Sequence, residues 1–332
     1  MGSGLGKIVI AALISGGLSL ILSPLWIRYQ RYRRMGQKIR IDGPRSHSIK
    51  SGTPTMGGVV IIVSCLIASM ITGTFSKQAI LVLVAYVLCG VIGFIDDFIS
   101  IKKDRSLGLH ASAKFFAQIA VAALFAFFAI EVLGLSTSIK IPLTDLSFNI
   151  GYFYYLLVFF LLTATTNAVN LTDGLDGLAA GVSAFILSAF IVIAFMEYRH
   201  MGVGYGLDLA AISAAIVGAS AGFLWFNTAP ADIFMGDTGS LSYGAAIATI
   251  AIMLKLELLL PIFGGLLVIE TASVILQVLS FKLFKRRIFK MAPIHHHFEL
   301  NEWPEFKIII RFWLFCMVFV TLGFLIFYLE LV

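Results

Sequence analysis

The sequence predicts an all-α, polytopic integral membrane protein with about ten transmembrane helices and both termini on the outer side. Three observations predict it. The first is composition: 59% of the 332 residues are hydrophobic and 13% are charged, with a mean hydropathy of +0.98. Soluble domains average roughly 45–50% apolar and about 25% charged residues. The second is continuity. The apolar residues run unbroken through stretches near the ~20 residues a spanning helix needs, whereas a membrane β-barrel would alternate. The third is the placement of charge. Of the 24 Lys and Arg residues, 19 fall in segments that alternate along the chain with segments holding the other five. Basic segments stay in the cytoplasm. Together these exclude a soluble enzyme, a disordered chain and a secreted disulfide scaffold.

The elements follow in order. The first apolar run, 5–27, lacks a basic start and an Ala-x-Ala-like exit, so it reads as a retained helix rather than a cleaved signal. Met1-Gly2-Ser3-Gly4 before it has the composition of a cloning remnant and carries no weight. The loop 28–54 holds eight Lys and Arg residues and is assigned to the cytoplasm. Runs 56–73, 78–95 and 114–134 follow. Thr137 to Tyr155 alternates loosely around Pro142 and predicts a short external hairpin. Runs 152–168, 177–197, 207–226, 241–256, 259–281 and 307–331 complete the count; the shorter ones need tilt or local thinning of the bilayer. Cys65, Cys89 and Cys316 each sit inside an apolar run as small core residues. The net charge of +6 reports basic cytoplasmic loops rather than a nucleic-acid partner. No linker divides the chain, so residues 1–332 form a single domain.

Five polar clusters stand out, one per predicted inner loop: Gly43 to Gly58; Asp96-Asp97; Asn167 to Gly177; Asn227 with Met235-Gly236-Asp237-Thr238-Gly239-Ser240; and Ala292-Pro293-Ile294-His295-His296-His297-Phe298-Glu299. No outer loop has a comparable set, which points to an active site at the cytoplasmic face. Adjacent carboxylates closing a helix oppose its dipole and each other. Asp96-Asp97 is therefore either a solvated pair or part of a site for a hard cation such as Mg²⁺. Asp237 opens a helix, where it serves as a cap or as a third carboxylate beside a phosphate bound at the helix N-terminus. Asp173 and Asp176, each followed by Gly, read as turns that start a helix or as hydrogen-bond partners of a nucleotide. Three adjacent histidines lack the spacing of a zinc site; after Pro293 they suggest an extended or loop segment offering donors to an anion. Lys50 and Lys114 are candidate phosphate ligands. Lys114 opens a helix, where a cation needs an anionic partner.

In order and spacing these motifs resemble the phospho-N-acetylmuramoyl-pentapeptide transferases (the MraY family), through nearly the whole chain from Gly43-Pro44 to Glu299. Asp96-Asp97, the Asn-x-x-Asn-Leu-Thr-Asp-Gly-Leu-Asp-Gly run and Met-Gly-Asp-Thr-Gly-Ser are shared with the wider polyprenyl-phosphate N-acetylhexosamine-1-phosphate transferase superfamily. The Ala-Pro-Ile-His-His-His-Phe-Glu segment marks the muramoyl-pentapeptide branch. The resemblance implies a ten-helix enzyme of the bacterial inner membrane with periplasmic termini. It would be a homodimer, requiring Mg²⁺ and using UDP-MurNAc-pentapeptide and undecaprenyl phosphate to make lipid I and UMP in peptidoglycan synthesis. It assigns catalysis to Asp96, Asp97, Asp237 and His296, and the metal to Asp237 and Asp97. The donor nucleotide and sugar fall to Asn167, Asn170, Asp173, Asp176, Asn227, Phe234, His295, His296, His297 and Lys50, and phosphate to Lys114 and Lys50. Direct and covalent routes both stay open. Two further readings remain: a sister transferase using a UDP-GlcNAc-type donor, and a transporter or flippase. A carrier expects polar groups at mid-membrane; here Glu270 and Gln277 are the main polar residues deep in a helix.

Overall fold

A computed structural model describes residues 2–33, 36, 52–103 and 108–331. Within them the chain forms α1 (Gly2–Tyr32), α2 (Gly58–Ile71), α3 (Lys77–Lys102), α4 (Ala111–Phe127), β1 (Ser138–Lys140), β2 (Ser147–Asn149), α5 (Phe153–Thr172), α6 (Leu178–His200), α7 (Gly206–Asn227), α8 (Gly236–Met253), α9 (Leu260–Phe263), α10 (Gly265–Phe284), α11 (Ile294–Glu299) and α12 (Glu305–Leu331). Every apolar run is helical over most of its length, because apolar backbone away from water must satisfy its own hydrogen bonds. Eight helices are long and apolar enough to cross a membrane: α1, α3, α4 with its π-helical tail Phe128–Val132, α5, α6, α7, α10 and α12. The helix α2 is shorter, at 14 residues, and α8 has 18.

The centre of the bundle is α8, which is buried at every position but Asp237. The helices α2, α3, α5 and α6 pack around it, while α1 lies along α7. Close packing of apolar helices relies on small side chains. Gly93 of α3 shows why: a Cβ there would collide with the backbone carbonyl of Asp237. Gly93→Leu is expected to push α3 off α8, lowering the thermal midpoint by an amount equivalent to ~1–3 kcal/mol and displacing Asp96 and Asp97 from Asp237. A thermal-shift measurement in detergent checks the first effect and turnover the second.

At the end of the bundle away from Asp237, Asp208 of α7 ties three helices together. It pairs with Lys7 of α1 at 2.5 Å and accepts from the Ser76 amide, just before α3, at 2.8 Å. The hairpin expected between 137 and 155 is present, with β1 and β2 antiparallel and Ile139 opposite Phe148.

Three local expectations are corrected. The helix carrying Asp96-Asp97 does not end there but continues to Lys102, because Phe98, Ile99 and Ile101 extend the apolar run. The apolar run 259–281 is two helices, α9 and α10, separated by Gly264. The histidine triplet is neither extended nor a loop: it lies on α11, which opens directly after Pro293 and carries an i,i+3 His296–Glu299 pair at 2.5 Å. Side chains three apart share a helix face, so three consecutive histidines point in three directions.

Candidate active site

The ends of four helices converge around Asp237. Asp96 and Asp97 sit about one and a half turns before the end of α3. Gly236, at φ +72°, turns the chain into α8. Lys114 lies in the first turn of α4, and Asn167 and Asn170 lie in the last turns of α5. Carboxylate oxygens of Asp96, Asp97 and Asp237 lie within 4.8 Å of one another.

Each acid is held differently. Asp97 is buried, at 9% exposure. It accepts from the Asp237 amide at 3.1 Å, the Thr238 amide at 3.0 Å and the Thr238 hydroxyl at 2.7 Å. It therefore caps α8 from a neighbouring helix, filling amides that a helix otherwise leaves unpaired. Those amides belong to Asp97, so they are not the phosphate cradle that the sequence suggested. Asp237 is partly exposed. Its carboxylate forms an ion pair with Lys114 and accepts from the Asn170 amide at 2.7 Å. The same Asn170 amide reaches the Ser240 hydroxyl at 2.9 Å. Asp96, also partly exposed, accepts from the Leu109 amide at 3.0 Å. Lys114 thus has the anionic partner that its place at a helix start demanded. Burial, and then the carboxylates of Asp237, Asp97 and Asp176, push the Asp173 carboxyl well above the usual range.

Other candidates brace the frame. Asn167 donates to Gln118 at 2.9 Å, joining α5 to α4. Asp176 accepts from the Ala231 amide at 3.0 Å, and its own amide donates to Glu305 at 3.0 Å. Asn227 donates to the Ile233 carbonyl at 2.8 Å. Phe234 is bonded through its backbone to Pro54 at 2.8 Å and Gly57 at 2.9 Å. These bonds fix the strap 228–235 that delivers Asp237. The histidines diverge. His295 is fully buried, facing Glu270 and Gly174, so its ring is not presented to a ligand. His296 pairs with Glu299. His297 accepts from the Lys290 amide at 3.1 Å. Lys50 and the stretch from Gly43 to Ser51 lie outside the described residues.

Gln118 was not singled out from the sequence, and Thr238 and Ser240 were named only within the Met235–Ser240 cluster, without the partners they have here. A signal for two of them was there. Gln118 follows Lys114 by four residues and Ser240 follows Asp237 by three, the spacings that share a helix face. Thr238 offered none, because its partner Asp97 is distant in sequence.

Three carboxylates facing one ammonium leave an excess of negative charge. All three offer hard oxygen donors, two of them partly exposed. That donor set fits a divalent cation of the Mg²⁺ type, which takes one or two carboxylates and fills its shell with water and phosphate oxygens.

Fold and site define a polytopic membrane protein with an acid-rich site, bridged by a lysine, at one end of its helix bundle. Residues 79–255 match the family model for glycosyl transferase family 4, and residues 50–62 match signature 1 of the phospho-N-acetylmuramoyl-pentapeptide-transferases. The chain is similar along nearly its full length to curated phospho-N-acetylmuramoyl-pentapeptide-transferases. It is 48% identical to that of Frankia alni, over 97% of each chain. It is 47% identical to that of Halalkalibacterium halodurans, over 95% of this chain and 96% of the relative. It is 46% identical to that of Bacillus subtilis, over 96% and 98%. The chain belongs to the phospho-N-acetylmuramoyl-pentapeptide-transferase family.

Proposed function

We propose that the chain transfers phospho-MurNAc-pentapeptide from UDP-MurNAc-pentapeptide to undecaprenyl phosphate, giving lipid I and UMP in the membrane step of peptidoglycan synthesis. The observation that carries the reading is the Asp237 cluster, built from motifs of a family that the chain matches end to end.

The reaction joins an acceptor phosphate oxygen to the sugar-bearing phosphorus and breaks that phosphorus's bond to the bridging oxygen, which leaves with UMP. The transition state asks mainly for positioning and for neutralised charge. Lys114 supplies a cation next to Asp237. Asp237 and Asp96 would hold Mg²⁺ in place of the Asp237–Asp97 pair that the motifs implied, because both Asp97 oxygens already accept from Asp237 and Thr238; the ion would neutralise charge on the pyrophosphate. A phosphate monoester has a second pKa near ~6, so the acceptor needs little help losing its proton. Asp96 then orients the acceptor rather than acting as a strong base. Asn170, Asp173 and His296 serve the donor side, while Asp176, Asn227 and Phe234 position the strap behind Asp237. In this reading the chain crosses a bacterial inner membrane ten times, with α2 and α8 as its short spans, keeps both termini in the periplasm and works as a homodimer. The ten-span reading is supported by the way the described motifs meet at one end of the bundle.

The test is UMP release by the purified protein with undecaprenyl phosphate and each of two donors. Release from UDP-MurNAc-pentapeptide, undiminished by excess UDP-GlcNAc, is expected. Release from UDP-GlcNAc alone would move the chain to the sister activity. Release from neither would leave the carrier reading.

A further inference from the structure

Glu270 is a buried acid for which the proposed chemistry has no use. It lies in the first half of α10, the half that packs into the bundle; past Ser273 no residue of that helix is buried. Its side chain is 0% exposed, and so is that of His295, whose Nδ1 stands 3.1 Å from the Glu270 carboxylate. Neither ring nitrogen and neither carboxylate oxygen has a hydrogen bond of good geometry. Each group is therefore the other's compensation for burial. An unpaired buried carboxylate would be strongly unfavourable.

The far side of the His295 ring shows what the pair accomplishes. Nε2 occupies the space that a side chain at position 174 would need. Gly174 follows Asp173, so the ring is wedged between α10 and the turn that follows the Asn167–Asn170 segment. His295 also sits edge-on to His296, ring centroids 4.2 Å apart, and His296 Nδ1 pairs with Glu299 at 2.5 Å. One buried contact thus sets the Asp173–Gly174 turn against α11, two pieces of chain more than 100 residues apart in sequence.

We propose that Glu270 is a positioning residue for the donor side of the transfer site: through His295 it holds the Asp173–Gly174 turn and His296 in register. The proposal rests on the transferase reading above. Glu270 touches no substrate. Gln277, on the same helix, is not part of the device; its amide holds the backbone at Ile288 and Phe289.

The test is a double-mutant cycle on UMP release. Glu270→Gln keeps size and hydrogen-bonding capacity but removes the carboxyl group that His295 faces. It is expected to fold with a near wild-type thermal midpoint and to raise KM for UDP-MurNAc-pentapeptide about tenfold. KM for undecaprenyl phosphate should stay within about twofold. His295→Gln should have the same effect, and it substitutes for the first variant if that one fails to fold. Because Glu270 acts through His295, the double variant should lose no more than either single one; groups acting independently would add. Glu270→Asp, which keeps the carboxyl group, should recover part of the donor KM. Wild-type donor KM in Glu270→Gln, additive losses in the double variant, or an equal rise in both KM values would overturn the proposal. A wild-type protein that releases no UMP would instead overturn the transferase reading, and the role of Glu270 with it.

Discussion

Asp237→Asn is expected to lower the rate of UMP release by ~10²–10³-fold, the scale seen when one preorganised electrostatic group is removed from an active site. It should do so without unfolding the protein. The residue is the one position of α8 that is not buried, and its two carboxylate oxygens meet Lys114 and Asn170. An amide at 237 can still engage Asn170 through its carbonyl. It cannot pair as an anion with Lys114, and it lowers the acidity that would attract a divalent cation. The variant should purify in wild-type yield with its thermal midpoint little changed. A rate within threefold of wild type would remove Asp237 from the catalytic centre.

Asp97→Ala is the other large effect, and it has a different character. Asp97 is buried, and three donors from α8 converge on it. Hydrogen bonds to a charged group contribute about 1.5–3 kcal/mol each, and orphaned buried donors add a further penalty. Bonds that share one acceptor are not additive, so ~3–5 kcal/mol is expected for the whole set, as for breaking a buried pair. The helix at stake is the central one. The variant should therefore show a markedly lower thermal midpoint and poor recovery from detergent. Asp97→Asn keeps an acceptor for the Thr238 donors and should be intermediate. Neighbours in sequence thus separate by assay: Asp97 variants fail in stability, and Asp96 variants fail in turnover while remaining folded. A stable but inactive Asp97→Ala would return Asp97 to the chemistry.

Much of this was legible in the sequence. Continuous apolar runs located every long helix, because lipid leaves the backbone no other way to satisfy itself. The hairpin near Pro142 was visible from alternation and a turn residue. The clusters around Asp96, Asn170 and Asp237 were found as a set because each falls in a predicted inner loop while no outer loop has a comparable group of polar residues. What escaped was pairing across helices. Nothing near Asp97 says that its partner is the amide of Asp237, 140 residues away. Nothing near His295 says that its ring turns inward to Glu270. The triplet looked uniform along the chain, but α11 rotates successive residues by about 100° each, so His295 is buried while its neighbours are not. Glu270 was visible as a deep polar residue, but its meaning needed its partner.

The most direct test of the central claim, that the acid cluster around Asp237 is the phosphoryl-transfer site and works with a divalent cation, is a Mg²⁺ titration of UMP release. The wild-type protein would be stripped with a chelator and assayed beside Asp237→Asn with UDP-MurNAc-pentapeptide and undecaprenyl phosphate. The account predicts no release from the stripped wild type, saturable recovery as Mg²⁺ is added, and no comparable recovery in Asp237→Asn. Full release by the stripped wild type, or full recovery in Asp237→Asn, would contradict it.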